Sequence, residues 1–222
     1  MAGGSRCDIE VLGEDMKVLL INGSPHRNGS TVTALKEAER ILLQEGIETE
    51  MIHVPADTPG CMACRYCHNN PGCVRKDIVN ETYEKVAECD GMIIGSPVYY
   101  AGMSGSLKAF LDRLFYSYPS RVSLTMKAGA AISSSRRAGN LTCNDAVNKY
   151  FSINGMTTIG SSYWNDAHGN SSEETLQDEE GMQTMRNLAR NMAYYVKMRN
   201  LAGEQGLEDP VREKKAYTNF VR

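Results

Sequence analysis

The chain has 222 residues, 41% of them hydrophobic and 23% charged, with a formal net charge of -3. That composition fits one α/β domain with some excess at the ends. It gives a nucleic-acid role no electrostatic support, and no run approaches the roughly 18 apolar residues of a membrane span.

Residues 1–15 are glycine-bearing and weakly patterned, and read as an N-terminal extension. They lack the apolar centre of a signal peptide, so a cytoplasmic protein is expected. Its seven cysteines are then thiols or metal ligands rather than disulfides. The domain proper is expected over residues 16–201, followed by a charged tail, 202–222, that reaches a partner subunit.

Lys17 to Asn22 predicts strand one, and a loop of small polar residues leads to a helix from Ser30 to Glu45. Val32, Leu35, Ala38, Ile41 and Leu42 recur at helical spacing, and Gly46 ends the helix. A strand, a tight loop and a helix N-terminus in succession form an anion site, because free backbone N–H groups and the positive end of the helix dipole converge there. Ser24, Asn28, Ser30 and Thr31 add side-chain donors, and His26 or Arg27 adds charge. The loop lacks a Gly-Lys-Ser/Thr ending and the three-glycine dinucleotide spacing. It suits one terminal phosphate monoester, as in FMN; the plainer alternative is a strand-to-helix turn capped by Ser30.

Ile47 to Val54 predicts strand two, followed by a cysteine-rich loop, 55–76. Cys61, Cys64, Cys67 and Cys73 have the spacing C-x2-C-x2-C-x5-C. Three thiolates at every third residue, with a fourth nearby, can wrap a cuboidal iron–sulfur cluster, whereas zinc prefers two separated knuckles. A redox-active Cys64–Cys67 pair is the alternative. Cys7, Cys89 and Cys143 read as buried small residues, and His68 and His168 as exposed loop histidines.

A helix from Asp77 to Glu88 and an apolar strand three, Gly91 to Gly95, come next. The loop Ser96 to Met103 follows. Pro97 fixes its path, and Val98, Tyr99 and Tyr100 offer the flat apolar surface that an isoalloxazine ring needs. Sealing of the sheet end is the alternative. After a helix from Ser104 to Tyr116 and strand four, Ala128 to Ser134, the loop Ser133 to Asn140 could close over the ring's other edge with Ser134, Arg136 and Gly139; two solvated arginines, Arg136 and Arg137, are the alternative. A helix to about Asn154, strand five from Met156 to Ser161, and a long last helix from near Glu173 to near Leu201, bent at Gly181, complete the domain. Trp164, with Tyr163 at a strand end, is expected near the site. Alternating strands and helices predict a doubly wound parallel sheet of order 2-1-3-4-5, helices on both faces, with ligands beyond the carboxyl ends of strands one and three.

The stretches Asn22-Gly23-Ser24-Pro25, Asn28-Gly29-Ser30-Thr31, Gly95-Ser96-Pro97-Val98-Tyr99-Tyr100, Ser104 through Arg113 and Arg136-Arg137-Ala138-Gly139 resemble the flavodoxin-like NAD(P)H-dependent FMN reductases. Asn148-Lys149-Tyr150-Phe151, Tyr163-Trp164-Asn165 and Asp178-Glu179-Glu180-Gly181 are similar to a subgroup of that family, and the cysteine spacing resembles the compact motif of its iron–sulfur flavoproteins. The resemblance implies a flavodoxin-like fold and non-covalent FMN. It implies an oxidoreductase that takes electrons from NAD(P)H and passes them through flavin to a small-molecule electron acceptor or redox protein. It also implies a homodimer or homotetramer. No catalytic side chain is required, because the chemistry belongs to the cofactor. The alternatives are an electron-transfer iron–sulfur flavoprotein with a 4Fe–4S cluster on the four cysteines, or a non-catalytic flavin- or metal-binding regulatory module.

Overall fold

Val18, Leu19, Leu20 and Ile21 alternate between the two faces of one strand, and all four are fully buried. Both faces of that strand are therefore covered, as in a parallel sheet. The computed structural model describes residues 16–117, 123–214, 216–218 and 220. The expected extension 1–15, with Cys7, lies outside the described residues.

The strands are β1 (Lys17–Asn22), β2 (Glu48–His53), β3 (Gly91–Pro97), β4 (Ala128–Ser135), β5 (Thr157–Thr158) and β6 (Asp166–His168). The helices are α1 (Ser30–Gln44), α2 (Ile78–Glu88), α3 (Gly105–Ser117), α4 (Asn140–Ile153), α5 (Ser172–Gln177) and α6 (Glu179–Glu204). The sheet order is β2-β1-β3-β4-β5, with every ladder parallel and β6 paired to β4. Val18, Leu20, Ile93, Ala130 and Ile132 face α1 and α6; Leu19, Ile21, Met92, Ile94 and Ala131 face α2, α3 and α4. This is the expected flavodoxin-like, doubly wound sheet.

Two expectations are corrected. Strand five does not run from Met156 to Ser161. It is cut to the pair Thr157–Thr158 beside Ala128 and Gly129, and the chain rejoins β4 as β6, beside Ser133 to Ser135. In between, the Ser161 hydroxyl donates to the Thr184 carbonyl of α6 at 2.6 Å, drawing the chain off the sheet. The Asn165 amide then donates to the Ala131 carbonyl at 3.0 Å, doing for that β4 acceptor what a strand N–H would have done. The last helix breaks at Asp178, not Gly181. The Asp178 carboxylate accepts from the N–H of Gly181 at 3.0 Å and of His168 at 2.6 Å, so it caps α6 and ties it to β6. The helix ends at Glu204, beyond the expected Leu201. Among the described residues no helix is long and apolar enough to cross a membrane.

Candidate flavin cleft and cysteine pocket

The carboxyl ends of β1, β3 and β4 open on one cleft of about 500 Å³. The volume lies within the range of small-molecule and cofactor sites, roughly 300–1,000 Å³.

The first wall is the β1–α1 loop, which contributes Ser24, His26, Asn28, Ser30 and Thr31. Its path is set from below. The buried Asn22 side chain accepts from the Ser24 N–H at 3.0 Å, donates to the His26 carbonyl at 3.4 Å and meets His53 Nδ1 at 3.0 Å. Burial, and then the Arg27 charge, push the His53 pKa down, so the ring stays neutral and its Nδ1 accepts from the Asn22 amide. Gly23 lies so close to α3 that a Cβ there would stand 2.5 Å from Leu107. The loop ends at an α1 N-terminus with no side-chain cap and no acidic residue in its first turn. By contrast, Asp77 caps α2, and Asp178 caps α6 with two glutamates in its first turn. An uncapped, acid-free helix terminus flanked by hydroxyls fits a phosphate monoester.

The second wall is Pro97, Val98 and Tyr99. The Val98 N–H donates to the Ser134 carbonyl at 2.9 Å, extending the β3–β4 ladder. Tyr99 and Gly102 exchange backbone bonds at 2.9 Å across a tight turn in which Tyr100 and Ala101 have φ of 49° and 58°. That turn throws Tyr100 fully into solvent, away from the cleft. The third wall is Ser134, Ser135 and an exposed Arg136. Thr31 Oγ1 and Ser134 Oγ share a hydrogen bond of 2.7 Å, joining the first and third walls. Gly139 does not line the cleft. It precedes α4 with φ +94°, and a Cβ there would lie 2.9 Å from Val98, so its part is to let the second loop close against the third. Arg27 is exposed outside the lining.

A fourth wall, beyond the three loops expected from the sequence, is Gly169 to Ser172. The Ser30 hydroxyl is placed to bond the carbonyls of Gly169 and Ser171, each at 3.2 Å, so the wall clamps the α1 terminus. The sequence carried one signal for it. Ser171-Ser172-Glu173-Glu174 has capping-box spacing, and the Ser171 hydroxyl accepts from the Glu174 N–H at 3.3 Å. Tyr163 and Trp164 stack edge-on at 4.8 Å between centroids, exposed and outside the lining.

Cys61, Cys64, Cys67 and Cys73 line a single small pocket with Arg113. Left-handed backbone at Ala63 and Arg65, φ 54° and 57°, coils the loop between the cysteines, and a short 3-10 turn follows at Tyr66–His68. His68 Nε2 lies 2.8 Å from the Tyr116 hydroxyl, anchoring the turn to α3. Burial pushes the Cys67 thiol pKa up, and the charges of the other three cysteines add to it. Four sulfurs around one pocket are the donor chemistry of an iron–sulfur cluster. Among the described residues, no three His, Cys, Asp or Glu side chains already form a metal-ion cage. Cys89 and Cys143 are buried, with thiol pKa values pushed up to about 11 by burial, and are inert packing groups.

The family model described as NADPH-dependent FMN reductase matches residues 16–171. An iron–sulfur flavoprotein of Methanocaldococcus jannaschii is 33% identical over 193 residues, 82% of this chain and 98% of that protein. An iron–sulfur flavoprotein of Methanosarcina thermophila is 30% identical over 181 residues, 80% of this chain and 93% of that one. Among solved structures, RosB with bound 8-demethyl-8-formylriboflavin-5'-phosphate superimposes with a TM-score of 0.66 at 15% identity, covering 92% of each chain, a likeness of fold.

Proposed function

Because the chain belongs to the NADPH-dependent FMN reductase family, in the subgroup of the iron–sulfur flavoproteins, we propose that it binds FMN in the four-walled cleft and takes electrons from NAD(P)H for a small-molecule acceptor or redox protein. The observation that carries this reading is the uncapped α1 terminus opening between the β3 and β4 loops. FMN supplies hydride acceptance and onward electron transfer when bound. The chain supplies position. The α1 N–H groups, that of Ser30 among them, hold the phosphate with the side chains of Ser24, Asn28 and Thr31, while the Ser30 hydroxyl keeps the fourth wall in place. Pro97, Val98 and Tyr99 shape one wall for the ring and Ser134 the other. Arg136 offers positive charge at the cleft rim, and no side-chain acid or nucleophile is needed. Arg27, Tyr100 and Gly139 lie outside the lining and are given no direct contact in this reading.

A second reading has its own support. The four cysteines face one pocket, and the relatives covering most of the chain are named iron–sulfur flavoproteins. Cys61, Cys64, Cys67 and Cys73 would hold a 4Fe–4S cluster, which supplies one-electron exchange. The reading includes a cytoplasmic location, in keeping with six free thiols among the described residues. It also includes a homodimer or homotetramer, in keeping with Tyr194, Met198 and Leu201 exposed along α6.

The test is an anaerobic absorption spectrum of the purified chain, with iron and sulfide analysis and NAD(P)H consumption. Flavin bands and nicotinamide-dependent bleaching support the first reading; about four irons per chain add the second. A colourless protein that takes up no FMN overturns both.

A further inference from the structure

Arg113, on α3, has a side chain only 1% exposed. A guanidinium carries five N–H donors, and here each has a partner. Nε and Nη2 each donate to Cys73 Sγ at 3.4 Å. Nη1 and Nη2 grip the two Asp77 oxygens, each at 2.8 Å, and Nη1 also reaches the Pro59 carbonyl at 3.2 Å. Asp77 in turn caps α2, accepting from the Val79 N–H at 3.2 Å. One buried cation therefore joins the start of the cysteine loop, its last cysteine and the helix that follows.

Among the described residues, Asp77 is the carboxylate paired with the guanidinium, as a planar two-bond pair. Of the three remaining donors, one goes to the Pro59 carbonyl and two are aimed at one sulfur of the four. Cys61 and Cys64 are exposed by comparison, while Cys73 is held from inside the protein.

We propose that Arg113 is a positioning residue that fixes Cys73 and, through its two N–H···S bonds, sets the reduction potential of the iron–sulfur centre, with Asp77 as the opposing charge. The inference rests on the second reading above. Adding one electron to a thiolate-ligated centre adds one negative charge beside that sulfur. Donors to the sulfur and a nearby cation favour the reduced form and raise the potential, whereas a carboxylate lowers it. Arg113 and Asp77 therefore act in opposite directions, although removal of either breaks the same ion pair.

That opposition is the test. The full chain is reconstituted anaerobically with iron and sulfide, and its midpoint potential is followed by EPR with dithionite as the electron source. The wild type is compared with Arg113→Gln, Arg113→Lys and Asp77→Asn. Asparagine still caps a helix, so Asp77→Asn removes charge rather than the cap. Arg113→Gln is expected to shift the potential down, Arg113→Lys down by less, and Asp77→Asn up. If Arg113→Gln does not fold, Arg113→Lys against Asp77→Asn gives the same comparison. Shifts of one sign in both sets, or none, make Arg113 a structural brace and overturn the inference alone. A wild type that retains FMN but takes up no iron overturns the cluster reading and the inference with it.

Discussion

Gly23 shows how one residue sets the floor of the cleft. Its N–H donates to the Gly95 carbonyl at 2.8 Å, and its own carbonyl accepts from the Ser104 hydroxyl at 2.6 Å. Its backbone is thus pinned to β3 on one side and to the start of α3 on the other. A Cβ would lie 2.5–2.8 Å from the Cδ2, Cβ and Cγ of Leu107. Leu107 is fully buried, and its Cβ cannot rotate away, so relief requires α3 or the loop to move. Gly23→Ala is expected to cost about 1–3 kcal/mol as an overpacked site. For a chain of this size each kcal/mol lowers Tm by roughly 2–4 °C, and flavin affinity should fall with it because the loop above is displaced. Calorimetry of the flavin-free protein checks the first effect, and an unchanged Tm would show that α3 yields freely.

Elements read well where their signal is local, and poorly where it is a contact across the chain. The run from Val18 to Ile21 before a polar loop is legible as a strand leading to a helix N-terminus, because apolar burial and helix initiation act within a dozen residues. The fourth wall is not, because Ser30 meets Gly169 and Ser171 from about 140 positions away. Strand five is shorter than its pattern implies because the Asn165 side chain stands in for a backbone donor, which no β-pattern encodes. The exit of Tyr100 from the cleft depends on two successive left-handed residues, neither of them glycine. The α1–α6 contact is likewise nonlocal, and it yields a pH prediction. The Glu37 carboxylate pairs with Arg40 on its own helix and with Arg186 on α6, both at 2.8 Å. Arg40 first, and then Arg186, hold its pKa below the ordinary value of 4.5. The unfolded chain therefore takes up the proton first as pH falls. The pairing stabilises the fold above about pH 4.5 and is lost as pH drops through the lower folded value. Glu37→Gln should cost about 0.5–1 kcal/mol at pH 7, in the range of a partly exposed ion pair, and progressively less below pH 4.5. Urea melts at pH 7 and pH 3.5 test this; an equal loss at both would assign the effect to packing.

At the scale of the whole molecule, the cleft is where the sheet is least self-sufficient. Loops from β1, β3 and β4 and the segment after β6 meet there through a few polar bonds, chiefly Thr31 to Ser134 and Ser30 to the fourth wall. A ligand spanning these walls would couple the two halves of the sheet, so loading with FMN should stabilise the entire fold. A ligand that binds only the native state at about a hundredfold excess over its Kd adds about 2.7 kcal/mol. In a domain of this size that corresponds to a rise in Tm of roughly 5–10 °C, increasing with FMN concentration. Riboflavin separates the contributions, since it offers the same ring without the phosphate. If the uncapped α1 terminus is the anchor, riboflavin at equal concentration should raise Tm far less than FMN, and added phosphate should compete with FMN. Equal shifts from the two flavins would move the binding energy to the Pro97–Tyr99 wall and leave the helix terminus without its assigned role. No shift from either would remove flavin from the cleft altogether.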